Sequence, residues 1–292
     1  MSDTATRASP SKKRPPRSWI DFFREPLRRI ETESRAFLAS DAARRPDLKV
    51  IIILVSVALG LTVQRFIAME DGLPLIAAYL RDAGWQRLAA DFERALLSQD
   101  NPLAQLNRLA WWSAVTLLVY VVVPMLIVRL VFRERVRDYG VKLGGALADF
   151  RVYVLMMAVA WPAIFLASAG QRFQLTYPFY RLAPGEAAWP NLVRWELLYT
   201  TQFFGVEFFF RGYLLHGLKY RFGAYAIFVM MVPYCMLHFH KPLPEALASI
   251  VGAVALGFMS LRTRSIWMGT AIHVSVAWSM DAASLWQQGF FG

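Results

Sequence analysis

The stretch Gln202–Leu215, QFFGVEFFFRGYLL, sets a carboxylate, Glu207, and a guanidinium, Arg211, into an otherwise apolar and aromatic run. Moving a charge into hydrocarbon or a dry core is expensive, so ionisable side chains inside apolar helices are rare and mark functional positions by default. The i, i+4 spacing places both groups on one helical face, where they can pair and keep each other inside a membrane helix. Two readings stay open: a buried pair that fixes helix packing, or a base, Glu207, whose carboxylate Arg211 holds in place.

Two further apolar runs carry imidazoles. MMVPYCMLHFH (230–240) ends in His238 and His240, and MGTAIHVSVAW (268–278) contains His273. If Glu207, His238 and His273 face a common interior cavity, they can hold Zn²⁺ or another divalent metal, with water as the fourth ligand. With no metal, a carboxylate and one imidazole can activate water while the other imidazole stabilises the oxyanion. Each histidine also has an ordinary alternative, an interhelical hydrogen bond. His240, near a turn, and His216, near the end of its run, read as interfacial. Ser275 and Ser279, one turn apart, read as hydroxyls that cap backbone. The sequence has no HExxH, Walker A loop or GxSxG.

Composition places these runs in a membrane. Of 292 residues 57% are hydrophobic, mean hydropathy is +0.36, and 10 Trp, 21 Phe and 11 Tyr supply aromatic mass suited to membrane interfaces. The net charge of +11 is concentrated at the N-terminus and between apolar runs, without a nucleic-acid module. That pattern favours orientation by, and contact with, anionic membrane lipids over nucleic-acid binding. The single cysteine, Cys235, excludes an internal disulfide or multi-cysteine metal site and reads as a buried spectator.

Along the chain, residues 1–17 read as a disordered basic tail and 18–48 as an amphipathic cytoplasmic segment, lying on the membrane or on the protein's own cytoplasmic face. Residues 49–132 read as N-terminal transmembrane helices with a loop, and 133–292 as the core that carries the polar residues. The first long apolar run begins only near Val50 and reads as a retained anchor rather than a cleaved signal. Apolar runs near 49–68, 109–132 (kinked at Pro124), 150–169, 191–218, 223–239, 246–260 and 266–286 predict an all-α polytopic membrane protein. It has about seven spans around an interior cavity, with an eighth element in 70–98 as the alternative. Residues 1–49 hold twelve Lys and Arg. With seven spans, the basic loops fall on one side, which predicts a cytoplasmic N-terminus, an external C-terminus and residence in the plasma membrane.

Three stretches together resemble the CPBP family of membrane proteases, the CAAX-processing and bacteriocin-processing (Abi) group that includes the type II CAAX prenyl proteases. VEFFFRGYLL (206–215) is similar to its motif of two glutamates, three residues and arginine. YCMLH (234–238) is similar to its aromatic, three residues, histidine motif, with Tyr234 and His238 in place. GAVALGFMSLRTRSIWMGTAIHVSVAW (252–278) is similar to its third region, with His273 as the histidine. The resemblance covers roughly residues 190–281. It implies a helical membrane fold and an endopeptidase acting on membrane-associated or C-terminally processed peptides. In it Glu207 and His238 would activate water, His273 would stabilise the oxyanion and Arg211 would orient Glu207.

Two positions depart from the pattern. Val206 stands where the family has its first, catalytic glutamate, and Ala277 where it has an oxyanion asparagine. Valine cannot take a proton, and losing one oxyanion donor alone costs about 3 kcal/mol of transition-state stabilisation. Glu207 replaces its neighbour only if the helix rotates or bulges near Gly205, because adjacent helical residues diverge by about 100°. The departures define an alternative: a catalytically inactive member that acts as a membrane peptide-binding or scaffold protein. Asp281, two turns after His273, reads as an interfacial residue or as indirect support for the imidazole.

Overall fold

The computed structural model of the protein describes residues 18–147 and 149–291, so the tail expected at 1–17 lies outside it. Helix α1 (Trp19–Leu38) starts where Ser18 takes an extended backbone and its hydroxyl accepts a hydrogen bond from Asp21 N at 3.1 Å. Its apolar stripe, Phe22, Pro26 and Ile30, is buried. Arg262 Nη1 donates to the Phe22 carbonyl at 3.0 Å, Glu31 accepts from Ala224 N at 2.9 Å, and Phe22 and Phe23 pack on Phe258. The other side of α1 leaves Trp19, Ile20 and Phe23 exposed.

Helix α2 (Leu48–Ala68) follows, capped by Asp47 at Val50 N. Two short helices, α3 (Leu73–Asp82) and α4 (Gln86–Leu96), pack on each other before α5 (Ala104–Val131). Pro124 lacks the N–H for an i→i−4 bond, and the backbone answers with π-helical stretches on either side, Leu118–Val122 and Ile127–Val131. Next come α6 (Phe150–Ser168), α7 (Asn191–Glu207, continued as a π-helical run Phe208–His216), α8 (Ala226–Met236), α9 (Leu243–Thr263) and α10 (Trp267–Gln287). Among the described residues β structure is limited to an isolated antiparallel bridge between Val141 and Ser265.

The fold is all-α, but the expectation of seven or eight spans is corrected. Among the described residues four helices are long and apolar enough to cross a membrane: α2, α5, α6 and α9. Their large apolar side chains, such as Ile51, Val55 and Leu59 of α2 and Val159, Phe165 and Leu166 of α6, face outward, as lipid contact requires. The other three expected spans fail for separable reasons. Helix α8 has 11 residues, against about 20 needed for a bilayer. Helix α10 includes His273, Asp281 and Gln287, which dilute its apolar content. Helix α7 carries Arg194, Glu196, Glu207 and Arg211, and its apolar mass is turned into protein. Phe208, Phe209, Phe210, Tyr213, Leu214 and Leu215 are all buried in one core cluster. An apolar run in sequence is therefore a core helix here, not a lipid-facing one. The placement of the termini on opposite sides rested on an odd span count and falls with it.

Candidate functional site

Helices α7 and α10 run antiparallel, and their facing residues repeat every four positions. Phe203, Glu207 and Arg211 lie on one face of α7; Gly269, His273, Ala277 and Asp281 lie on one face of α10. Glu207 and Arg211 are 1% and 0% exposed, so they sit in packed protein rather than lining a water-filled cavity. Arg211 Nη1 lies 3.1 Å from Glu207 Oε1, and the same oxygen lies 2.7 Å from His273 Nδ1. These are short electrostatic contacts rather than aligned hydrogen bonds, and the guanidinium nitrogens of Arg211 form no aligned bond elsewhere. Instead, the guanidinium carbon lies 4.0 Å from the centroid of the Tyr234 ring, whose electron-rich face serves as a partner for a buried cation.

Tyr234 closes the set. Its hydroxyl lies 2.8 Å from His273 Nε2. An imidazole whose Nε2 accepts from Tyr234 is neutral and carries its proton on Nδ1, facing Glu207. Phe203 stacks on the same ring at 5.6 Å and 17°. Gly269 closes the far side of the carboxylate: a Cβ there would lie 2.5 Å from Glu207 Oε2, so glycine leaves room for the carboxylate where it stands. Arg211, Glu207, His273 and Tyr234 thus form a ring in which each member touches the next.

His238 stands outside that ring. Its Nδ1–H donates to the Tyr234 carbonyl at 3.0 Å, and its ring centroid lies 4.9 Å from that of Tyr234. The π-helical run begins immediately after Glu207, close to where a bulge would be needed to re-aim that side chain. Val206 instead packs against the main core, and Ala277 is buried in the cluster that holds Trp195 and Tyr199, where an asparagine would have to displace aromatic mass.

The donor set does not fit a divalent cation. Zinc needs about 2.0–2.2 Å to each oxygen or nitrogen donor. Glu207 Oε1 and His273 Nδ1 touch each other directly, a guanidinium crowds the same oxygen, and Gly269 closes over the other. Among the described residues no group of three or more His, Cys, Asp or Glu is arranged to hold a metal. What the ring can do is fix an imidazole tautomer and neutralise two buried charges.

Of the remaining candidates, His216 is corrected from interfacial to buried: Lys219 Nζ donates to its Nδ1 at 3.1 Å, and its Nε2 meets Ser260 Oγ at 3.1 Å. His240 is exposed near a turn. Ser279 Oγ donates to the Ser275 carbonyl at 2.6 Å, the backbone role expected of it. Cys235 is half-buried and free. Sequence reasoning missed Phe203, Gly269 and the hydroxyl of Tyr234. Each lies four residues before a residue it did single out, a same-face signal that could have found all three. It also missed Glu196. Asp281, read as interfacial, is 2% exposed and faces Glu196.

No curated protein and no solved structure matches the chain. Residues 188–279, which contain Glu207, Arg211, Tyr234, His238 and His273, match the family model described as type II CAAX prenyl endopeptidase Rce1-like.

Proposed function

We propose that this chain is a non-catalytic member built on a CAAX-protease-like helical domain, holding a membrane-associated peptide or partner protein rather than hydrolysing it. The observation that carries the reading is the engagement of Glu207. One oxygen is shared by Arg211 and His273, and the other abuts Gly269. A general base must reach a water molecule and take its proton. Glu207 does neither while it neutralises Arg211, and Val206 supplies no substitute. The basic residues ahead of α2 support a cytoplasmic N-terminus in the plasma membrane.

The competing reading, hydrolysis by Glu207 and His238 with His273 at the oxyanion and Arg211 orienting, draws on one observation. Glu207 and His273, from separate helices, do meet at 2.7 Å. The two readings part in one experiment. A library of membrane-anchored peptides is bound to the full-length protein in lipid, and the bound peptides are eluted and their masses measured. Intact peptides, enriched over a protein-free control, are expected. Truncated peptides, lost with Glu207→Ala and with His238→Ala, would overturn the reading.

A further inference from the structure

We infer that Glu196 on α7 and Asp281 on α10 form a proton-binding site, in which one shared proton joins the two carboxyl groups and clasps the helices together. The antiparallel packing that sets Glu207 against His273 also brings together Glu196, three turns back along α7, and Asp281, two turns on along α10. Asp281 is 2% exposed, and neither of its oxygens, nor Glu196 Oε2, has a hydrogen-bond donor among the described residues. Two ionised carboxylates facing each other here, one buried and one half-buried, repel each other and leave three buried oxygens without a donor, at a cost native proteins rarely carry. A single proton resolves both problems, because it converts one acceptor into a donor aimed at the other.

The surrounding charges do not replace it. Lys241, from the turn before α9, and Arg181 are the cations whose charge acts on Asp281. The Lys241 ammonium donates to Tyr177 Oη at 2.8 Å and lies 4.0 Å from the Phe179 ring centroid. Tyr177 in turn donates to Glu245, which takes up the lysine's charge. Arg181 donates to the carbonyls of Gln174 and Tyr177. Tyr199, on the same helix as Glu196, adds a neutral hydroxyl. The same helices carry Glu207 and His273, so the proton also holds the register of that ring. The inference does not depend on whether the Glu207 site is catalytic.

The test is a pH titration of the full-length protein in lipid, reading the infrared C=O stretch of protonated carboxyl groups together with the unfolding equilibrium. A group that holds its proton more tightly folded than unfolded stabilises the fold at low pH and loses that contribution as pH rises through its folded titration. The wild type is expected to show a protonated-carboxyl band at neutral pH. On alkalinisation the band should disappear, with the folding equilibrium constant falling by up to about tenfold per pH unit. Glu196→Gln supplies a permanent donor to Asp281 and should fold, lack that band and lose that part of the pH dependence. Asp281→Asn should do the same from the other side. A wild type without the band at neutral pH, or with the same band and pH profile as a folded Glu196→Gln variant, overturns the inference. Should both variants fail to fold, the wild-type titration decides between these outcomes.

Discussion

Glu207 Oε1 lies 2.7 Å from His273 Nδ1 across the interface of two antiparallel helices, with the carboxylate buried and the imidazole partly exposed. The contact ties a carboxylate that is already paired with Arg211 to an imidazole that is already bonded to Tyr234. Three consequences for stability follow from that closure, and a fourth from the neighbouring lysine.

Removing one member of the buried ion pair leaves the other charge uncompensated. Arg211→Met and Glu207→Leu should each destabilise the protein by about 3–5 kcal/mol, whereas the double variant should be far less destabilised than the sum. Denaturant unfolding in mild detergent measures all three. Additive losses would mean that the two groups do not act as a pair.

Gly269→Ala places a methyl group 2.5 Å from Glu207 Oε2, so the carboxylate must leave its place beside His273 or the helices must separate. The expected loss is about 1–3 kcal/mol. Gly252→Ala, in the middle of α9 with nothing within 4 Å of the added carbon, is the control. It should be neutral or stabilising by up to about 1 kcal/mol, because alanine is the better helix former.

Tyr234→Phe removes the hydroxyl from His273 Nε2 but keeps the ring over Arg211. The loss should be about 1–3 kcal/mol, the cost of a buried nitrogen left unsatisfied. Tyr234→Leu should cost more, since it also removes the aromatic face on which the guanidinium rests. Comparing the unfolding of the two variants separates the roles of hydroxyl and ring.

Burial pushes the Lys241 ammonium, in the turn outside the spanning helices, down to about 8. In an unfolded chain a lysine titrates near about 10.4, so the unfolded state binds more protons between these values and stability from this group rises with pH across that window. Below the window the burial penalty is constant. Lys241→Met should remove the rise, read as the difference between wild-type and variant unfolding free energies from pH 7 to 11. A difference that does not change across that range would show that the ammonium is not desolvated.

Much of the site was legible in the sequence because charge in an apolar run is a strong signal. Glu207, Arg211 and His273 were singled out on that ground alone, and they meet. His238 was singled out equally and does not join them, because its helix ends at Met236 and its Nδ1 is taken by the backbone one turn earlier. The span count was not legible for a related reason. Hydropathy records how apolar a run is, not whether its neighbours are lipid or protein. QFFGVEFFFRGYLL and MMVPYCMLHFH are rich in apolar residues, yet one is wrapped by protein and the other lies in a helix too short to span. Glu196 and Asp281 went unnoticed as a pair because they are 85 residues apart in the chain and meet only through the antiparallel packing of α7 on α10. The small residues were visible but not their purpose: Gly269 and Ala277 are decided by what α7 presents to them.

The most direct test of the account is hydrolysis of a membrane-anchored peptide library by the folded, full-length protein in lipid, with Val206→Glu run beside it. The wild type is expected to leave every peptide intact, and any cleavage is expected only where Val206→Glu restores a carboxylate outside the Arg211–Glu207–His273–Tyr234 ring. Cleavage by the wild type, abolished by Glu207→Ala and by His238→Ala, would contradict the account and show that Glu207 leaves the ring to act as a base.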